Sequence, residues 1–165
     1  HGTRAVMPAG SPTSILPIDL RTDQSLPAFT RCSLDDDVGT GSKLPHPKLF
    51  TERNGKQKPD VYDGDSEGQV NRYLYWETRD IVDTKDRWEI TVGLSKEAPK
   101  NECTVDITPR RLQLLMVKPG EQYSWTNTRA GKEVQSGTVT ADQHGLVTIE
   151  KVQVSKKINR LQIVR

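Results

Sequence analysis

Apolar and polar residues alternate through much of the chain after residue 69, and this pattern constrains the fold more than any other feature. The clearest run places Trp88, Ile90, Val92 and Leu94 at every second position. Side chains at every second position of a strand face the same side of a sheet, so the run predicts a strand with one buried face. Similar apolar runs recur at residues 70–76, 105–107, 112–117, 123–125, 134–140, 147–154 and 161–163.

Turn signals separate these runs. Residues 118–120, 129–132 and 141–145 carry the proline, glycine and aspartate residues that favour tight turns. Strands spaced in this way are typical of a β-sandwich or barrel, and no window shows a helical period over ten residues or more. The sequence therefore predicts an all-β domain, an antiparallel β-sandwich over residues 61–165.

Residues 1–60 differ from the rest because they hold seven of the ten prolines. Proline lacks a backbone donor and fixes φ, which disfavours long strands and helices. We expect a proline-rich extended N-terminal arm with one short strand near residues 28–34. A long loop is expected over residues 39–59.

The balance of charges limits the classes of partner. The net charge is +2, so there is no electrostatic basis for nucleic-acid binding. No apolar stretch approaches the ~20 residues of a membrane span. The sequence opens with His1 rather than Met, as an exported chain does after its signal peptide is removed. We therefore expect a secreted protein, extracellular or periplasmic.

Cys32 and Cys103 are the two cysteines of the chain. There is no CxxC motif, and two thiols alone do not form a zinc site. A redox or metal pair and two unrelated buried thiols are the alternatives to a structural bond. Because cysteine pairs persist as disulfides in oxidising compartments, we predict a Cys32–Cys103 disulfide. Closing so long a loop would contribute about 4 kcal/mol in the chain-entropy model.

An acidic segment precedes Gly68 and predicts a calcium site. Reading D-G-D-S-E-G from Asp63, it matches the first half of a calcium-binding loop. The second half fails, because Leu74 stands where an EF-hand needs a bidentate glutamate. Distant oxygens from residues 35–37 would have to complete the site, and a solvated turn is the alternative. The predicted ligands are Asp60, Asp63, Asp65 and Glu67.

The N-terminal histidine suggests a second metal. A free terminal amine and the ring of His1 can chelate copper together, and imidazole suits that metal. His1-Gly2 resembles the opening of lytic polysaccharide monooxygenases, with His46 or His144 as the second ligand. A cleavage end without metal is the alternative.

Aromatic residues divide between core and surface. Trp88 and Trp125 are in phase with apolar neighbours, which indicates core packing. Tyr73 and Tyr75 fall on the strand face opposite Leu74, where a pair of tyrosines predicts a ligand platform for a carbohydrate or a cover for the N-terminal arm.

The last third of the chain carries a hairpin signature, SGTVTADQHGLVTIEKVQV followed by NRLQIV. It resembles the C-terminal immunoglobulin-like or fibronectin-III-like accessory domains of secreted bacterial hydrolases. That resemblance implies an Ig/fibronectin-III-like sandwich that acts as a spacer, packing partner or adhesion module beside a catalytic domain.

No G-x-S-x-G, H-E-x-x-H or complete P-loop motif occurs in the sequence. We therefore expect a non-catalytic extracellular module whose partner is another protein or its own catalytic domain. Two alternatives stay open: a copper-binding protein or monooxygenase, and a subunit of an extracellular assembly joined through the N-terminal arm.

Overall fold

The computed structural model describes residues 23–35, 71 and 73–165, together with the backbone of two short strands between them. The chain clusters into two compact units, His1–Leu34 with Asn71–Arg165, and Asp35–Val70. The strands are β1 (Leu26–Thr30), β2 (Leu49–Thr51), β3 (Gln57–Pro59), β4 (Leu74–Asp83), β5 (Arg87–Leu94), β6 (Glu102–Arg110), β7 (Gln122–Arg129), β8 (Lys132–Thr140), β9 (Ile149–Ser155) and β10 (Asn159–Val164).

The first unit contains two antiparallel sheets, and its described residues contain no helix. One sheet has five strands in the order β4-β5-β10-β7-β8, and the other has three in the order β1-β6-β9. This confirms the predicted all-β, sandwich-like class. Within the described residues, no helix is long and apolar enough to cross a membrane.

The second unit contains β2 and β3, which pair with each other in a two-stranded antiparallel sheet. Both strands lie inside the stretch expected to be a long loop, so that expectation is wrong over these strands. Turn residues between two short strands form a hairpin as readily as an open loop. The predicted boundary at residue 60 falls outside the described residues and stays a prediction.

The core is filled from both sheets of the first unit. Trp88, Ile90, Val92 and Leu94 of β5 are at most 1% exposed, which confirms the strand read from their alternation. Burial of each such side chain contributes about 1.5–3 kcal/mol. The other sheet contributes residues such as Val105, Ile107, Val152 and Val154, all fully buried.

Strand β1 falls within the predicted proline-rich arm and forms one edge of the three-stranded sheet. It pairs with β6 in antiparallel register, with Phe29 opposite Ile107. Just before β1, the Ser25 hydroxyl accepts a buried hydrogen bond of 3.0 Å from the indole of Trp88. This bond ties the start of β1 to β5 of the opposite sheet.

Cys32 and Cys103 are both buried, with 7% and 5% of their surface exposed. Their chain neighbours are in contact, because the Ser33 N–H donates to the Thr104 carbonyl at 2.8 Å. The Thr104 N–H in turn donates to Ser33 Oγ at 3.0 Å. No disulfide is present among the described residues. The Cys32–Cys103 bond therefore stays a prediction.

Candidate functional site

The segment from Arg111 to Val117, here called the 111–117 loop, is the first part of the connection between β6 of one sheet and β7 of the other. It was predicted to be a strand, and that prediction is wrong, because these residues form bends and irregular backbone. Leu115 is 2% exposed, whereas Leu114 and Met116 on either side are 52% and 68% exposed. The loop thus buries one apolar side chain and presents two to solvent.

The carboxylate of Asp83, at the end of β4, holds this loop by its backbone. One oxygen accepts the Gln113 N–H at 2.6 Å. The other accepts the N–H groups of Leu114 at 3.3 Å and Leu115 at 2.9 Å. Hydrogen bonds to an ionised carboxylate are roughly twice as strong as neutral ones. One side chain therefore satisfies three consecutive backbone donors that have no strand partner.

The loop between β8 and β9 packs against the C-terminal end of the 111–117 loop. Gly145 has a φ of +70°, and a Cβ there would come within 3.3 Å of the Val117 carbonyl oxygen. A side chain at this position would be strained and would push the two loops apart. The Gly120 N–H also donates to the Ala141 carbonyl at 3.0 Å. Two loops at the same end of the sandwich therefore pack together.

Three hydrogen-bonded side chains meet at the start of β7, the strand that follows the 111–117 loop in the sequence. Glu121 accepts the Tyr123 hydroxyl at 2.6 Å, and both of its oxygens accept Arg165 Nη2 at 2.8 Å. These hydrogen bonds, first that of Tyr123 and then that of Arg165, lower the pKa of Glu121. The pKa of Tyr123 is raised, first by burial and then by its bond to Glu121.

A second candidate is a shallow depression on the outer face of the five-stranded sheet. Its volume is about 470 Å³, and it lies where β4 loses its register with β5 between Glu77 and Val82. Arg160 Nη1 donates to the Asp80 carbonyl at 2.8 Å and to Thr91 Oγ1 at 2.9 Å. The lining residues are Arg79, Asp80, Ile81, Val82, Thr91 and Arg160.

Glu89 accepts hydrogen bonds from two further nitrogens of this guanidinium. Its Oε2 accepts Arg160 Nε at 3.1 Å and Nη2 at 2.6 Å, while Oε1 accepts Gln162 Nε2 at 2.8 Å. Burial, the largest single influence, raises the pKa of Glu89. The hydrogen bonds from Arg160 and Gln162 and the positive charges of Arg160 and Arg87 together outweigh it, so the pKa of Glu89 is lowered.

The depression is therefore a structural ion-pair network. Every nitrogen of the Arg160 guanidinium already donates to a protein oxygen. Thr91 Oγ1 donates to Asp80 Oδ2 at 3.1 Å, which occupies the remaining hydroxyl of the site. Such a network stabilises the β4 bulge and offers no poised acid–base pair.

Of the predicted copper ligands, His144 is described and lies in the exposed β8–β9 loop. Its N–H donates to Asp142 Oδ1 at 2.8 Å, and its ring Nε2 is 3.1 Å from the side-chain nitrogen of Gln143. His1 and His46 lie outside the described residues. No group of three potential metal ligands occurs in the part of the chain that the structure describes. Copper binding stays a prediction.

The predicted calcium ligands Asp60, Asp63, Asp65 and Glu67 all fall outside the described residues, so the calcium site also stays a prediction. The predicted tyrosine platform is described. Tyr73 precedes β4 and packs against the core, and both tyrosines are half-buried. The ring of Tyr75 covers Gly93 of β5, since a Cβ there would approach Tyr75 Cζ to 2.4 Å. Ligand binding by Tyr73 and Tyr75 stays a prediction.

Sequence reasoning missed both the exposure of Leu114 and Met116 and the role of Asp83. Asp83 lies about 30 positions before the backbone groups it binds, and no local pattern connects the two segments. An apolar run that follows a strand and contains no turn residue looks like another strand.

No protein-family model, curated protein or solved structure matches this chain.

Proposed function

We propose that this chain is a non-catalytic accessory module of a secreted or surface protein, an Ig/fibronectin-III-like sandwich that packs against a neighbouring protein domain through the 111–117 loop. The observation that carries the proposal is the exposure of Leu114 and Met116 on a loop whose backbone Asp83 holds in place. The resemblance of the C-terminal hairpin to accessory domains of secreted hydrolases supports the same role.

The energetics of Leu114 and Met116 favour an interface. Removing a large apolar side chain from water contributes about 1.5–3 kcal/mol, so a partner that covers both gains substantially. Clustered exposed apolar side chains on a soluble protein tend to mark interaction sites. Because the hydrogen bonds to Asp83 already order the loop, binding loses less conformational entropy than it would with a free loop.

The surroundings of the loop indicate the chemistry of the partner surface. Arg110, Arg111 and Lys118 are exposed and flank the apolar pair along the chain. A complementary surface would be an apolar pocket with carboxylates on its rim, since opposite charges at a rim steer association. A catalytic domain of the same polypeptide or another subunit of a surface assembly would provide that pocket.

Oxidation of Met116 tests whether the loop is covered in the natural protein. Methionine converts to its sulfoxide at a rate that follows exposure, and Met116 is 68% exposed in this chain. We expect peroxide to oxidise Met116 several-fold more slowly in the complete natural protein than in this chain alone, as followed by peptide mass spectrometry. Equal rates would contradict the proposal, as would hydrolytic activity of the purified chain.

A pair of variants isolates the loop. Leu114→Ser in the complete protein should uncouple the module, so that it unfolds in a transition separate from its neighbour. Ile158→Ser is the matched control, because Ile158 is similarly exposed at 55% but lies in the β9–β10 turn. Calorimetry should show the uncoupling for Leu114→Ser and not for Ile158→Ser.

The oxidation state of Cys32 and Cys103 tests the proposed extracellular location. In protein exported to an oxidising compartment, thiol titration under denaturing conditions should find no reactive thiol before reduction. Two thiols in exported protein would contradict the disulfide and leave the docking role of the loop untouched.

A further inference from the structure

The two sheets of the first unit end in four edge strands, β4 and β8 in one sheet and β1 and β9 in the other. An edge strand presents a row of backbone donors and acceptors to which another strand can pair. Natural proteins block such edges with prolines, bulges, charges or covering groups. Three of the four edges carry such devices along the strand, whereas β8 has a bulge and charged residues only at its start, and the described residues place no device on its second part.

Strand β4 is blocked by its irregularity and its charges. Its register with β5 shifts between Glu77 and Val82, which interrupts the flat edge. The side chain of Gln24 also donates to the Thr78 carbonyl at 2.9 Å, which occupies an edge acceptor. A further strand could not run along β4 without displacing these groups.

Strand β1 is blocked by proline and by a side-chain amide. Pro27 has no N–H to offer to an added strand. The side-chain amide of Asn71 donates to the Phe29 carbonyl at 3.1 Å in a buried contact. Both devices lie within a strand of five residues.

Strand β9 is covered by side chains from the opposite sheet. Gln135 Oε1 accepts the Gln153 N–H at 2.7 Å, and Asn127 Nδ2 donates to the Gln153 carbonyl at 2.9 Å. Gln135 Nε2 adds a bond of 3.1 Å to the Lys151 carbonyl. Two amide side chains thus take the place of a neighbouring strand.

Among the residues that the structure describes, none places such a device on residues 135–140 of β8. In the described part of the chain β8 pairs with β7 alone. A bulge at Val134, where Gln135 pairs with Asn127 and Glu133 with Thr128, separates the charged start of the strand from the rest. Beyond it the sequence QSGTVT has no charge and no proline. Most of these residues are exposed.

The free backbone groups of β8 belong to alternate residues. The Ala141 N–H donates to the Glu121 carbonyl at 2.9 Å, so Ala141 directs its polar groups toward β7. Because bonded and non-bonded residues alternate along an antiparallel pair, Ser136, Thr138 and Thr140 direct theirs away from β7. These residues form the open edge.

We propose that this edge binds the same edge of a second copy of the chain, in antiparallel register about a two-fold axis at Thr138. Thr138 then lies opposite Thr138 of the second copy, and Ser136 lies opposite Thr140. In this register the backbone N–H and carbonyl groups of Ser136, Thr138 and Thr140 all form hydrogen bonds with the second copy. The two five-stranded sheets become one continuous sheet across the axis.

The sequence of β8 favours a second copy as the occupant because the strand is complementary to itself. A two-fold axis places the same patch on both partners. The facing residues are neutral in this register, so no like charges meet, and small Gly137 lies opposite Val139. Lys132 and Glu133 lie beyond the bulge, and the Glu133 carboxylate accepts the Ser136 hydroxyl at 2.7 Å, at the end of the paired segment and far from the two-fold axis. Since a single strand pair buries little surface, the dimer should depend on concentration.

Sedimentation velocity over a range of concentrations tests the dimer. The wild-type chain should shift from monomer to dimer as concentration rises. Thr138→Lys should stay monomeric, because two lysines directly opposite each other repel. Ser124→Lys is the matched control: Ser124 is an exposed residue of β7 and the cross-strand partner of Thr138. It adds the same charge one strand away and should leave the dimer intact.

The outcomes separate this inference from the docking role of the 111–117 loop. A wild-type chain that stays monomeric at every concentration would overturn the inference, as would a dimer that persists in Thr138→Lys. Leu114→Ser should dimerise like wild type, because Leu114 lies outside β8. Unchanged denaturation midpoints would verify that the variants are folded.

Discussion

Asn159 and Arg160 are neighbours on β10, yet their side chains enter two very different polar networks. Asn159 is fully buried, donates to Asn127 Oδ1 at 3.0 Å and accepts the Ser155 N–H at 3.0 Å. Arg160 faces outward with 31% of its side chain exposed and donates to Glu89 and Thr91. The inner network is neutral and buried, and the outer one is charged and partly exposed.

The difference shows that exposure, more than charge, decides what a polar network contributes to stability. A buried amide that loses its partner cannot turn to water, so the full desolvation penalty of the orphaned groups appears. An outer ion pair that loses one member is partly rescued by solvent, and surface pairs contribute about 0–1 kcal/mol. Loss of the neutral amide should therefore be more damaging than loss of the charged guanidinium.

Asn159→Leu should give the largest effect. It orphans the Ser155 N–H and Asn127 Oδ1, both of which lie in the interior, whereas the Ser155 hydroxyl keeps the Lys157 carbonyl as its acceptor at 2.5 Å. With about 1–3 kcal/mol for each unsatisfied group and some relaxation of the site, we expect the free energy of unfolding to fall by about 3 kcal/mol. Urea denaturation measures it. A loss below about 1 kcal/mol would show that the inner network is not essential.

Combining Asn159→Leu with Asn127→Leu sharpens this prediction. Replacing both partners of a buried hydrogen bond is less harmful than orphaning one of them. The double variant should therefore lose less stability than the sum of the two single variants, with a coupling of roughly 1 kcal/mol in the double-mutant cycle. Simple additivity would mean that the two amides act separately.

Arg160→Met should be milder, with a loss of about 1 kcal/mol at neutral pH. Methionine keeps an apolar stem against the sheet and removes the guanidinium. Glu89 retains its bond from Gln162 and its ion pair with Arg87 at 3.3 Å. A loss as large as that of Asn159→Leu, in the same denaturation experiment, would erase the distinction between the two faces of β10.

Lowering the pH should weaken the outer network and leave the inner one unchanged. The pKa of Glu89 is lower in the folded protein than the ordinary value of 4.5. Its contribution is therefore fully present above about pH 4.5 and disappears as the pH falls through the folded pKa. The stability difference between wild type and Glu89→Gln, below about 1 kcal/mol at neutral pH, should shrink in acid.

The amide network supplies the control for the pH series. Asparagine and glutamine do not titrate, so the stability difference between wild type and Asn159→Leu should stay constant over the same pH range. A difference that fell in parallel with that of Glu89→Gln would point to general acid unfolding instead.

The sequence predicted the strands whose burial follows from their own side chains. The alternation of Trp88, Ile90, Val92 and Leu94 was sufficient for β5, because large apolar residues bury themselves wherever the chain allows it. The sequence could not predict the inward orientation of Asn127 and Asn159. An amide in a strand looks like a solvent-facing residue until a distant backbone edge, here that of β9, is known to need it.

Dependence on a distant segment also explains why the strand predicted at residues 112–117 is wrong. Their apolar content was recognised, but a strand also needs a neighbour for its backbone groups. Those groups bind the carboxylate of Asp83 instead. The conformation of the 111–117 loop therefore depends on a contact with Asp83. The two segments are far apart in the sequence, so no local pattern could predict this contact.

The position of β10 at the centre of the five-stranded sheet has a kinetic consequence. The hairpins β4–β5 and β7–β8 join strands close in sequence and can form quickly, but they meet only through β10, the last strand in chain order. Until β10 is inserted, an inner edge of each hairpin stays open to wrong partners. Non-local pairing of this kind is slow, typically milliseconds to seconds. A mutation that delays the insertion of β10 would thus lower the yield of soluble protein without altering the equilibrium stability of the molecules that do fold.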